Sequence, residues 1–219
     1  MGNVYTANYI PKNILFYLWE KEINTVVLKQ DPGIRGAVTS HPDLFLCKMG
    51  VEADAPLIRA PKGSVGSAYP GNAAYCAACL DKYLIHNLKI TAPEILEKAR
   101  QMGKTPVHVE QGYTRCNLVV VDGRSVITAD EGIYRVLSGL ADLDVLKVTP
   151  GHVELPGFDT GFLGGASGRV ENTMLFCGDL SRHPDYYEIV TFIMSRGLDL
   201  KFFDSFPLLD VGSLIESDF

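Results

Sequence analysis

The triplet His108-Val109-Glu110 returns 44 residues later as His152-Val153-Glu154, and a 219-residue chain holds about five such periods. Self-similarity at this spacing marks repeated supersecondary units. Each is too small to bury its own apolar face and must pack on its neighbours. Chemistry is then expected where the repeats converge.

The unit beginning at Cys116 is the plainest. Asn117 to Val121 is a continuous β-branched run, Asp122-Gly123 is a hairpin turn, and Ser125 to Thr128 is the returning strand. Asp130 is placed to cap a helix from Glu131 to about Leu140, and Asp144 to Thr149 reads as a buried strand. The order is ββαβ. The unit before it repeats that order, with Ala73 to Cys79, Tyr83 to His86, a helix capped by Thr91 and stopped at Gly103, and Pro106 to Glu110. The unit after it has Gly161 to Ala166, a Ser167-Gly168 turn, Thr173 to Cys177, a helix from Pro184 to about Arg196, and Leu198 to Phe203. Asp43 to Met49 and Ala55 to Arg59 look like paired strands, but Pro61 to Ala68 is loop text where a helix is due. The remaining unit joins both ends: Asp210 to Glu216, Tyr5 to Ile10, a helix from Pro11 to about Glu22, and Asn24 to Lys29. Sharing one unit between the termini removes the exposed edges of an open array. The expectation is a single α/β domain over residues 1–219. It is a five-bladed ββαβ propeller with one blade lacking its helix.

Composition excludes several function classes. A net charge of −6 with no run of Lys and Arg gives no footprint for nucleic acid or an anionic membrane. No apolar stretch approaches the ~20 residues needed to span a bilayer, and the first residues lack the basic and apolar segments of a signal peptide. Five cysteines, an odd set in apolar text, fit free thiols in a reducing cytoplasm. Cys76 and Cys79 have redox-motif spacing, but on a strand residues three apart face opposite ways, so both read as core. The glycine-rich run from Gly161 to Gly168 lacks the Lys-Ser/Thr of a phosphate loop and reads as close backbone packing.

Three stretches carry a resemblance. His41-Pro42-Asp43-Leu44-Phe45 is similar to the Pro-Asp-x-x-Phe segment of the pentein, or guanidino-group-modifying, enzymes. Pro70-Gly71-Asn72-Ala73 is similar to their Gly-Gly-Asp segment, with Asn72 in place of the acid. The five ββαβ units themselves resemble that fold. Across its length the chain looks most like a bacterial family of penteins. The resemblance implies an axial cavity binding a guanidine- or amidine-like molecule, with hydrolase or amidinotransferase chemistry by a Cys thiolate, a His and carboxylates. It departs from the pattern at the two key groups. No His stands near Thr114-Arg115-Cys116 and no Cys near Asp159-Thr160-Gly161.

Such chemistry needs a thiolate to attack an electron-poor carbon, a His to move protons and acids to hold the cation. Cys116 follows Arg115, whose charge favours a thiolate, and is the candidate nucleophile, with His152 as proton carrier. His41, Asp43, Asn72, Arg115, Glu154, Asp159 and Asp210 are the candidate ligand-binding residues. Arg115 reads either as a carboxylate clamp or as a plug over the acidic wall. Asp43, Cys116 and Asp159 are expected to share one hollow. No metal or cofactor is expected, and the expected partner is a small polar or cationic molecule. The alternative is a non-catalytic binding module with a protein partner on the same fold.

Overall fold

Asn3–Thr6 (β1), the helix Lys12–Glu20 (α1) and Asn24–Val27 (β2) open the chain in a computed structural model that describes residues 2–218. Pro11 precedes α1, where its fixed φ is already helical and its missing N–H costs nothing. Parallel β1 and β2 need the crossover that α1 provides.

Four further groups follow. Leu46–Lys48 (β3) and Leu57–Arg59 (β4) form an antiparallel pair. Ala78–Cys79 (β5), Tyr83–His86 (β6), the helix Pro93–Gln101 (α2) and Thr105–His108 (β7) form the third sheet. The one-turn helix Thr114–Asn117 (α3) leads into Leu118–Asp122 (β8), Ser125–Thr128 (β9), Glu131–Leu137 (α4) and Asp144–Lys147 (β10). Ser167–Val170 (β11), Thr173–Phe176 (β12), Tyr186–Met194 (α5) and Asp199–Lys201 (β13) form the fifth. The last strand, Ile215–Ser217 (β14), returns to pair antiparallel with β1, so both chain ends lie in one sheet. The molecule is therefore mixed α/β with five small separate sheets. Four of them run antiparallel, then parallel across a helix. Only a loop and a one-turn helix lie between β4 and β5.

Each long helix buries one i, i+4 pair: Ile14 and Leu18, Ile95 and Ala99, Ile133 and Leu137, Ile189 and Ile193. That pair is the inward stripe of an amphipathic helix. Burying an aliphatic side chain contributes roughly 1.5–3 kcal/mol. The Asp130 carboxylate caps α4 by accepting the Ile133 N–H. The apolar clusters run between sheets in chain order. Tyr5 and Ile215 meet Leu46, Met49 meets Leu84 and Ile95, Ile85 meets Val120 and Ile133, Val119 meets Phe176 and Ile189, and Leu175 meets Val4 and Leu18. The fifth sheet thus packs back on the first.

The entrances to the first strands differ from the sequence expectation. Pro42–Leu44, Gly71–Ala73 and Thr114–Asn117 are single helical turns that take the first residues of the strands expected from Asp43, Ala73 and Asn117, and 163–166 is a run of turn inside the strand expected from Gly161 to Ala166. One helical turn is too short to show a 3.6-residue period, so an apolar run reads as strand. Ser167-Gly168 is not a turn but the start of β11. The hairpin turns instead at Glu171, whose φ of 52° lies in the left-handed region. Thr91 is not the cap of α2, because its hydroxyl donates to the Asn87 carbonyl and Ala92 flanks the helix.

Candidate functional site

The entrances to the five first strands meet. The Asp43 N–H donates to the Gly212 carbonyl, the Arg115 N–H to Cys76, and the Gly165 N–H to Cys116, while the Val211 and Ser213 N–H groups both donate to Gly165. Two glycines allow this approach. A Cβ on Gly164 would lie 2.5 Å from the Cys116 carbonyl, and one on Gly165 would lie 2.0 Å from Asp210 Oδ1.

Asp43 lies at the centre and is fully buried. Its Oδ2 accepts from the Cys116 thiol (2.8 Å) and the Ser213 hydroxyl (3.0 Å), whereas its Oδ1 has no hydrogen-bond partner. Cys116 Sγ also lies 3.8 Å from Cys76 Sγ. Asp210, likewise buried, accepts the N–H groups of Phe162 and Gly212, both at 2.9 Å. Tyr9 donates to the Asp210 carbonyl (2.8 Å) and touches His41 Nε2. A phenol has one proton and a carbonyl can only accept, so His41 Nε2 carries the proton toward Tyr9 and the lone pair is at Nδ1.

Burial sets the protonation states. It lifts the Asp43 carboxyl to about 7 against the hydrogen bond from Cys116, and lifts Asp210 to about 6 against its two backbone donors. It holds His41 down to about 3, so the ring is neutral. The Cys116 thiol is pushed well above its ordinary range by its bond to Cys76 and by burial. The charge of the adjacent Arg115 does not make it a thiolate here, contrary to the sequence expectation.

Arg115 turns away from this cluster. Its guanidinium donates to the Leu118 carbonyl and lines a cavity of about 40 Å³ with Lys48, Arg169 and Glu216. Residues of β3, β5, β8, β11 and β14 all contribute to the wall: Leu46, Cys79, Val120, Arg169 and Ile215. Burial lowers the Lys48 ammonium to about 8, with Glu216 opposing and Arg115 and Arg169 reinforcing the shift. Arg115 is thus a buried cation of this cavity, whereas Asp159 lines a different groove.

Only part of the expected set lies together, and it does so as a buried, hydrogen-bonded cluster. Asp43, Cys116, His41 and Asp210 come together, while Asp159 does not join them. Asp159 is exposed and lines an open groove with His152, Glu154 and His183. The Asp159-Thr160 segment precedes the run of turn that enters β11, and Asp210 occupies the space beside Gly161 and Gly165. His152 stacks edge-on against His183, and the Glu154 backbone bridges to Leu209. Asn72 accepts from the Tyr113 hydroxyl at 2.9 Å. His108 ends β7, bonded to the Leu88 N–H and Glu110. Cys76 and Cys79 part, one toward Cys116 and the other toward Met49, although Cys76 lies before β5 and not on the expected strand. Nothing in the sequence points to Tyr9 or Ser213. Lys48 and Arg169 are visible only as charges within apolar strands.

A family model described as a family of unknown function, DUF6873, matches residues 6–215. The chain belongs to the DUF6873 family. No curated protein and no solved structure matches the chain. Among the described residues of this family member, no helix is long and apolar enough to cross a membrane.

Proposed function

We propose that the five sheets are blades of a pentein-like α/β propeller and that the chain binds a small polar molecule by an anionic head seated in the axial cavity. The cyclic packing of each sheet on the next supports the propeller reading. The binding reading rests on one observation: three cations, Lys48, Arg115 and Arg169, face one acid, Glu216, across about 40 Å³. At about 10–15 Å³ per water-sized probe, that space suits a head of about three heavy atoms, the size of a carboxylate. A guanidinium fork matches a carboxylate with two parallel hydrogen bonds.

A guanidine- or amidine-like ligand is the second reading, favoured by the paired acids Asp43 and Asp210. The thiol chemistry that goes with it would require Cys116 to lose the proton it gives to Asp43, from a thiol whose setting favours the neutral form. Binding is therefore better supported than hydrolysis or amidino transfer.

Thermal shift and calorimetry with acetate, glycine, guanidinoacetate and agmatine separate the readings. The carboxylates should raise the Tm of the wild type, by an amount equivalent to about 2.7 kcal/mol at one hundred times Kd. Arg115→Gln and Lys48→Gln should abolish that effect. Stabilisation by agmatine alone, unchanged in Arg115→Gln, would favour the guanidine reading. Failure of all four compounds would remove both.

A further inference from the structure

We propose that His41, Asp43 and Cys116 form a site for one zinc ion. None of these three ligands lines the anion cavity. One ligand atom from each of the three residues lies within 4.8 Å of the other two, and all three side chains are buried. Asp43 Oδ1 is a fully buried acceptor without a partner, a costly arrangement unless a cation or donor completes it.

The donor set is nitrogen, oxygen and sulfur, which borderline-soft Zn²⁺ takes in tetrahedral sites.

The outer partners are in place as well. Tyr9 oxygen accepts the Nε2–H of His41, which leaves the lone pair at Nδ1, while the Ser213 hydroxyl donates to Asp43 Oδ2. Charge closes in the same way. A neutral imidazole, one carboxylate and one thiolate balance a dication, so the three ligands and the ion carry no net charge between them. Loading releases the Cys116 proton, now shared with Asp43, to solvent. Because the ligands are buried, the ion enters as the chain folds.

The test uses the full chain, stripped with a chelator, unfolded and refolded with Zn²⁺ or Co²⁺. One ion per chain is expected, and Zn²⁺ should raise Tm. The cobalt form should show a near-ultraviolet thiolate-to-metal band with intense tetrahedral visible bands. Cys116→Ser should lose the near-ultraviolet band and the Tm rise, and Asp43→Asn should weaken affinity at least about tenfold. Cys177→Ala, a buried cysteine outside the cluster, should retain both signals. Refolded wild type lacking the thiolate band would overturn the site whatever the variants do. So would a Cys116→Ser protein that binds cobalt with an unchanged spectrum. Ligand binding at Arg115 is read separately through Arg115→Gln, so either proposal can fail without the other.

Discussion

Gly165→Ala probes the interlock between strand entrances. The φ of Gly165 is not positive, so the substitution brings no left-handed backbone penalty. The cost comes from contact. The new Cβ would stand 2.0 Å from Asp210 Oδ1 and 2.4 Å from its Cγ. Asp210 has to move by more than an ångström, and with it go the hydrogen bonds it accepts from Phe162 and Gly212, both 2.9 Å. Bonds to a charged group contribute about 1.5–3 kcal/mol each and overpacking costs about 1–3 kcal/mol. A loss of roughly 4 kcal/mol or more follows, a large share of the 5–15 kcal/mol typical of a folded protein. In urea, at a slope of about 2 kcal/mol per molar, the midpoint should fall by about 2 M. Asp210→Ala removes the obstructing carboxylate, so in that background Gly165→Ala should cost only about 1 kcal/mol. The double-mutant cycle should then show coupling of about 3 kcal/mol or more. Strict additivity, or a single-mutant cost below about 1 kcal/mol, would refute the claim that these two entrances are wedged together.

Anion affinity should fall as pH rises through about 8. There Lys48, facing Arg115, Arg169, Glu216 and Glu52, loses its charge. Calorimetry with acetate between pH 6.5 and 9 should show that fall in the wild type and not in Lys48→Gln. His86, buried and bonded to Thr91 and the Gly112 carbonyl, is held down by burial to about 4 from 6.5. A depressed folded pKa gives stability that is present above 6.5 and is lost as pH falls toward 4, up to about 3 kcal/mol in all. The advantage of the wild type over His86→Gln in urea melts should shrink over that window. Asp43 and Asp210 titrate in both proteins and cancel in the difference, so a pH-independent gap would contradict the assignment.

How much of this was legible in the sequence depended on length scale. The β8–β9 hairpin, the Asp130 cap and the helices each rest on signals spread over several residues or on a turn pair with few alternatives. The chain ends meeting in one sheet followed from the repeat count. The strand entrances were not legible, because a three-residue turn such as Pro42–Leu44 carries no period and its Asp43-Leu44 runs straight into text that looks extended. That misreading carried into the site. Asp43 was marked by the Pro-Asp-x-x-Phe resemblance, and Cys116, Asp159 and Asp210 by their chemistry at repeat junctions, yet Asp159 stays outside the cluster. The approach of Asp210 to Gly161 and Gly165, which takes that space, is a long-range contact. The echo of His108 and His152 marks equivalent places, but one ring bonds to backbone and the other lines a groove.

The most direct test of the central claim, that first-strand entrances converge on Asp43 and Cys116, is a crystal structure phased on the native sulfur atoms. Such a map locates the cysteines without reference to any prior coordinates. It should place Cys76 Sγ about 3.8 Å from Cys116 Sγ, with the Asp43 carboxylate 2.8 Å from the latter. Sulfurs of Cys76 and Cys116 on separate faces of the molecule, or a Cys116 side chain turned outward from Asp43, would contradict it.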